Sequence, residues 1–205
     1  RAVFTGTSQP GEPAAWAVLA MADAVLKRGD LQKWLQDCEI SFVPQPNPDG
    51  IVAGACNANA RGEMVFVGFE DIAEGKPGAT EALTLWGHLA ANPPAGYVDY
   101  HFLPQPNHPV PRPYFFSLDL YTDPARRALA GQLAERYIQI SGCPQPPVIP
   151  VGHRMWRNLA TYQAAARWHT VSFLYQYTGP TTSHLLAQRR GPEVMQAALE
   201  ICLDS

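Results

Sequence analysis

Polar side chains at the carboxyl ends of strands in an open α/β sheet line the crevice where ligands bind, and three segments of this chain offer them. The first is Gly6-Thr7-Ser8-Gln9-Pro10-Gly11-Glu12-Pro13, a strand-to-helix corner presenting Gln9 and Glu12. The second is Asp99-Tyr100-His101, late in a strand, and the third is Tyr175-Gln176-Tyr177-Thr178, near the end of another. Between the first two lie Asn47-Pro48-Asp49-Gly50 and Asn57-Ala58-Asn59-Ala60-Arg61. Imidazole and carboxylate are side chains that bind metals and move protons, so Glu12, Asp99 and His101 are candidates for such chemistry. Each also has a plainer reading. Glu12 in a first helical turn is favoured by the helix dipole, His101 among aromatic residues suits a hydrogen-bonded core histidine, and Asn47 to Gly50 is good turn chemistry.

These residues need a framework, and the composition supplies one. With 205 residues, 46% hydrophobic and 16% charged, the chain can bury the core of one sizeable domain. The net charge of -3 and the scatter of the basic residues, in runs no longer than Arg189-Arg190, argue against a nucleic-acid surface. The longest apolar stretch, Ala14 to Ala22, is far shorter than the roughly 18 to 20 residues of a membrane span. No basic-then-apolar leader pattern follows Arg1, and the missing initiator Met leads us to expect that upstream residues were removed. Cys38, Cys56, Cys143 and Cys202 show no Cys-x-x-Cys pair and read as buried free thiols. Prolines concentrated at 44–48, 92–94, 104–113 and 144–150 mark long ordered loops between periodic segments.

Val3-Phe4 reads as the end of a strand, and Pro13 opens a helix that runs from Ala14 through Leu26 to a stop at Gly29. Glu39 to Val43 is a short strand ended by Pro44. Tyr97 to Leu103 is a second, with Asp99, His101 and Leu103 on one face and Val98, Tyr100 and Phe102 on the other. Asp123-Pro124 caps a helix ending near Gly142, Thr170 to Tyr177 is a third clear strand, and a last helix spans Pro192 to Leu203. Strands alternating with helices predict an α/β layer fold with a central sheet.

Taken in order, these segments resemble the zinc metallocarboxypeptidases, the carboxypeptidase A-like peptidases and their bacterial relatives. Gln9-Pro10-Gly11-Glu12 falls where that family has its His-x-x-Glu metal pair, and Asn47 to Gly50 matches its Asn-Pro-Asp-Gly turn letter for letter. Tyr97 to His101 looks like the strand bearing the third ligand. The resemblance covers residues 1 to 180. It implies a three-layer sandwich with a mixed, largely parallel central sheet and helices on both faces. The chain would be one N-terminally incomplete domain over residues 1–205, starting inside its sheet and leaving an apolar edge around Val3 and Phe4 open to association.

The resemblance also assigns roles. Gln9, Glu12 and His101 would bind zinc, with Asp99 orienting the ring of His101. Arg61 would steady an oxyanion. Asn59, Arg112 and Tyr114 are candidates for contact with a peptide or small amide substrate and Tyr162 for a mobile phenol over the site, Arg112, Tyr114 and Tyr162 being placed by no motif, and His108, seven residues beyond His101, is a candidate replacement ligand. Three departures weigh against full competence. Gln9 stands where the family has His, Gln176 stands where it has the Glu that activates water, and the segment after Arg61, Met64-Val65-Phe66-Val67-Gly68-Phe69, lacks the family's Asp-x-Asn-Arg. An amide oxygen is a poor zinc donor and Gln accepts no proton at neutral pH, so weak, partial zinc occupancy is expected. The functions implied are therefore hydrolysis of a C-terminal peptide or amide bond, a catalytically inactive relative that binds peptides, or an amide hydrolase of the aspartoacylase and desuccinylase type.

Overall fold

Alternation of side chains along the central strands sends apolar residues to both faces of the sheet, and each face must be covered by helices. Val3 and Tyr97 enter one core and Phe4, Val98, Tyr100 and Phe102 enter the other. The computed structural model describes residues 1–6, 9–55, 57–104, 112–143, 145–179 and 184–203. Among these, six strands form one sheet: β1 (Ala2–Gly6), β2 (Ile40–Val43), β3 (Gly96–Pro104), β4 (Arg112–Phe116), β5 (Val148–Ile149) and β6 (Val171–Gly179). Their spatial order is β2-β1-β3-β6-β4-β5, all neighbours parallel except the antiparallel pair β4 and β6.

The described helices are α1 (Ala14–Lys27), α2 (Gly29–Gln32), α3 (Trp34–Asp37), α4 (Pro48–Val52), α5 (Phe69–Ala73), α6 (Thr80–Ala91), α7 (Pro124–Ser141), α8 (Ala160–Trp168) and α9 (His184–Leu203). On one face, Val18 and Met21 of α1, Leu133 and Tyr137 of α7, and Val194 and Met195 of α9 pack with Phe4, Val98 and Tyr100. On the other, Phe69 of α5, Leu85 and Leu89 of α6, and Ala160 and Ala164 of α8 pack with Val3 and Tyr97. The expected three-layer α/β sandwich with a mixed, largely parallel sheet is the architecture found.

Two expectations are corrected. Val3 and Phe4 are 0% and 1% exposed and do not form an open edge. The chain returns after α3 to lay β2 along the free side of β1, pairing Val3 with Ser41 and Phe4 with Phe42, so β1 is an interior strand. The last helix also begins earlier than Pro192, at His184, and carries the proline inside it. A helix-interior proline costs about 3 kcal/mol. Packing against α1 offsets it: Ala187 is 1% exposed, and Gly191 lies so close that an added Cβ would stand 2.6 Å from the carbonyl oxygen of Ala17. The thiols follow expectation, with Cys143 and Cys202 buried, Cys38 half-buried and all three free; Cys56 lies outside the described residues.

Candidate functional site

β1 leads through α1 to β2 on one side, while β3 takes the other side of β1. Between β1 and β3 the strand order therefore reverses, and such a switch point opens a crevice at the carboxyl ends of the strands. Register determines which residues meet there. Thr5 of β1 pairs with Asp99 of β3, Asp99 with Leu174 of β6, and Leu174 with Tyr114 of β4. One step further along, His101 pairs with Gln176, and Gln176 with Arg112. Paired residues share a face, so Asp99, His101, Leu174, Gln176 and Tyr114 rise from one side of the sheet.

His101 is the hub. Its ring is 3% exposed. Nε2 lies 2.9 Å from Asp99 Oδ2, while Nδ1 lies 2.9 Å from Gln9 Oε1 and 3.2 Å from Glu12 Oε2. The facing atoms, Asp99 Oδ2, Gln9 Oε1 and Glu12 Oε2, are acceptors, an arrangement that suits a ring protonated at both nitrogens. Both carboxylates are held in turn. Thr5 donates to Asp99 Oδ1 at 2.6 Å, and the Phe102 backbone N–H donates to Glu12 Oε2 at 2.8 Å. The amide nitrogen of Gln9 donates to Asn57 Oδ1 at 3.1 Å, which leaves its oxygen facing His101. Burial alone would drive the ring toward neutrality. The charges of Asp99 and Glu12 and their hydrogen bonds outweigh that and raise its pKa from 6.5 to about 10.

A raised pKa predicts how stability depends on pH. The folded chain holds this proton more tightly than the unfolded chain, so the stabilisation is complete below pH 6.5 and is lost as pH climbs toward about 10. Chemical denaturation at a series of pH values should show the midpoint falling already between pH 6.5 and 9, ahead of the further loss above 9 from Cys202, whose thiol burial pushes up from 9.0 to about 12. A flat profile up to pH 9 would contradict the ion-paired imidazolium.

The donor set around His101 does not suit a tightly held zinc. It consists of one imidazole, one carboxylate and one neutral amide oxygen, the last a poor zinc donor, and the imidazole nitrogen facing the other two lies within hydrogen-bond distance of both. Among the described residues no group of three His, Cys, Asp or Glu could hold a metal ion. His108 lies outside the described residues.

Beside His101 opens a cleft of about 270 Å³, with Gln9, His101 and Gln176 as its polar residues. Its walls are Phe66, Val67, Tyr114, Met155, Trp156, Leu159 and Leu174, and Tyr114 meets Trp156 with ring centroids 5.1 Å apart. Sequence reasoning found Tyr114 but none of the other apolar wall residues. They come from a strand and from the connections before α5 and α8, and they carry no motif. The clearest available signal was aromatic and apolar residues inside a loop after the proline cluster at 144–150.

The remaining candidates are dispersed. Asn59 and Arg61 line a separate pocket of about 260 Å³ with Pro48, Asp49, Thr80 and Glu81. Asn59 donates to Glu63 and Glu81, both at 3.0 Å, and its oxygen accepts from the N–H groups of Arg61 and Glu63. It ties a turn together, and Arg61 is exposed. The Asn47 to Gly50 segment is the start of α4, where Asn47 Oδ1 accepts from Gly50 N at 3.1 Å. Its glycine is required by packing, because an added Cβ would stand 2.4 Å from both Pro10 Cγ and the Ala58 carbonyl. The segment thereby joins the corner bearing Gln9 to the loop bearing Asn57. Tyr162 is not a mobile phenol: it is 5% exposed, packs edge-on against Phe116 and accepts from Gly152 N at 2.8 Å. Arg112 is placed by backbone register opposite Gln176.

No protein-family model matches the chain, and no curated protein does. Solved structures do. The metallo-carboxypeptidase from Burkholderia cenocepacia superimposes with a TM-score of 0.77 at 17% identity, over 99% of this chain and 56% of that one. The Pseudomonas aeruginosa metallo-carboxypeptidase in complex with (2-guanidinoethylmercapto)succinic acid gives 0.76 at 16% identity, over 98% and 56%. The product-bound ectoine utilization protein EutE (DoeB) from Ruegeria pomeroyi gives 0.68 at 14%, again over 98% and 56%. The chain thus spans a little over half the length of these proteins, and its fold is the metallocarboxypeptidase-like α/β fold.

Proposed function

We propose that this chain is a metallocarboxypeptidase-like domain whose cleft binds a peptide or small amide without hydrolysing it at the rate of an intact metallopeptidase. The observation that carries this reading is the hydrogen bonding of His101, whose two ring nitrogens are both given to acceptors. A zinc ion would have to displace a proton held by Glu12 and Gln9 before it could bind there. Gln176 supports the same reading, since it lines the cleft with His101 and stands where the resemblance expects a proton acceptor, while an amide takes no proton. A general base contributes about 10² to 10⁴ in rate.

The residues present are suited to holding a ligand. Tyr114, Trp156 and Met155 supply apolar surface that excludes water, while Gln176 and Gln9 supply amide groups at its end. Hydrolysis is the competing outcome and is tested directly. Unblocked peptides incubated with the protein and added zinc should release no C-terminal amino acid above background. Release that is abolished by a chelator and restored by zinc would refute the reading.

A further inference from the structure

Successive residues of a strand point to opposite faces of the sheet, and two strands carry a pocket on each face. Tyr114 of β4 and Leu174 of β6 line the His101 cleft, while their neighbours Phe115 and Phe173 line a separate pocket of about 480 Å³ beneath α7. Its floor is aromatic. Phe115 and Phe173 meet edge to face with centroids 5.3 Å apart, beside the buried Tyr121. α7 roofs the pocket with Ala130, Gly131 and Ala134, side chains too short to fill it. Gly131 keeps a right-handed helical backbone, and among the described residues an added Cβ would meet only Leu118 Cδ1, at an ordinary 3.8 Å. Neither conformation nor close packing therefore calls for glycine there. A helix-interior glycine weakens its helix relative to alanine, so α7 gives up stability at the residue that keeps the pocket open.

Three of the lining side chains carry polar atoms, and two of them are engaged. The Tyr121 hydroxyl accepts from the Ser172 N–H at 3.2 Å, and the Ser117 hydroxyl lies 3.4 Å from Asp119 Oδ2. Asp119 is in turn paired with Arg127 at 2.8 Å. The third, Glu135, is exposed at the rim and has no hydrogen bond or ion pair to a described side chain, and the adjacent Arg136 donates instead to Gln139 at 3.3 Å. An apolar chamber with one unpaired carboxylate at its mouth complements a molecule with an apolar body and one cationic group. A ligand carboxylate would meet Glu135 as a like charge. The volume lies within the roughly 300–1,000 Å³ of small-molecule sites, and since an engineered cavity of about 150 Å³ holds benzene, two fused aromatic rings have room here.

We infer that this pocket is a second binding site, for a small aromatic amine whose rings lie against Phe115 and Phe173 and whose ammonium pairs with Glu135. It lies across the sheet from His101 and does not depend on what that cleft does. The test titrates tryptamine, its uncharged analogue indole-3-ethanol and the anion indole-3-propionate at neutral pH, by calorimetry and by amide NMR shifts. Tryptamine should bind at least about threefold tighter than the alcohol, the scale of an exposed ion pair, and at least about tenfold tighter than the acid. Its shifts should centre on residues 115–121 and 130–138. Glu135→Gln, a change at an exposed position of α7, should bring tryptamine down to the affinity of the alcohol. Gly131→Leu, its fold checked by thermal melting, should fill the chamber and abolish binding of both; should it not fold, Glu135→Gln decides alone. Equal or tighter binding of the acid, shifts centred on the His101 cleft, an unchanged preference in Glu135→Gln, undiminished binding in a folded Gly131→Leu, a dimer closed over these residues, or no binding of any probe at millimolar concentration would each overturn the inference.

Discussion

Replacing Asp99 by alanine is expected to destabilise the domain by about 3–5 kcal/mol, the cost of removing one partner from a buried ion pair. Asp99 is 8% exposed, lies 2.9 Å from His101 Nε2 and accepts at 2.6 Å from Thr5, so the truncation takes the acceptor from the His101 ring and leaves Thr5 with the Tyr97 hydroxyl at 3.2 Å. Glu12 would still face the ring from the other side, at 3.2 Å, and keeps the loss finite. The variant should also show a shallower fall in stability above pH 6.5, because the group that contributes most to raising the His101 pKa is gone. Urea unfolding of both proteins at several pH values measures both effects. A loss under about 1 kcal/mol, typical of exposed ion pairs, would mean that water reaches the cluster.

Gln9→His is expected to convert the cluster into a metal site. The substitution replaces a neutral amide oxygen by an imidazole next to Glu12 and His101, giving two histidines and a carboxylate. Loss of an outer-shell partner typically changes metal affinity 10–100-fold, so exchanging an inner donor should raise zinc affinity by more than about 100-fold. Competition against a zinc-binding dye, parent beside variant, gives the ratio. Indistinguishable affinities would show that Gln9 is not the limiting donor.

Much of this was legible in the sequence, and the parts that were not share physical causes. β3 and α1 announced themselves through strict alternation and through an apolar run closed by Lys27, Arg28 and Gly29. The meeting of Gln9, Glu12 and His101 followed from placing all three at strand ends, and the sheet order brings β1 and β3 side by side. Long-range loop placement was not legible. Asn59 and Arg61 follow the corner in sequence, but Asn59 is drawn to Glu63 and to Glu81 of α6, which puts Arg61 in a different pocket from His101. α6 itself escaped notice because its apolar stripe is interrupted by Gly87 and its Leu83 is exposed. The edge expected at β1 followed from strands thought to be missing before Val3, and strand order is a long-range property: β2, read as a strand, pairs along that side of β1.

The most direct measurement is the protonation of His101 itself, read from the ¹⁵N resonances of its ring. At about pH 8, where an ordinary histidine is neutral, both ring nitrogens should carry protons, and one equivalent of added zinc should leave their resonances in place. A neutral ring with one bare nitrogen that shifts stoichiometrically on adding zinc would show that a metal, and not a proton, belongs between His101 and Glu12.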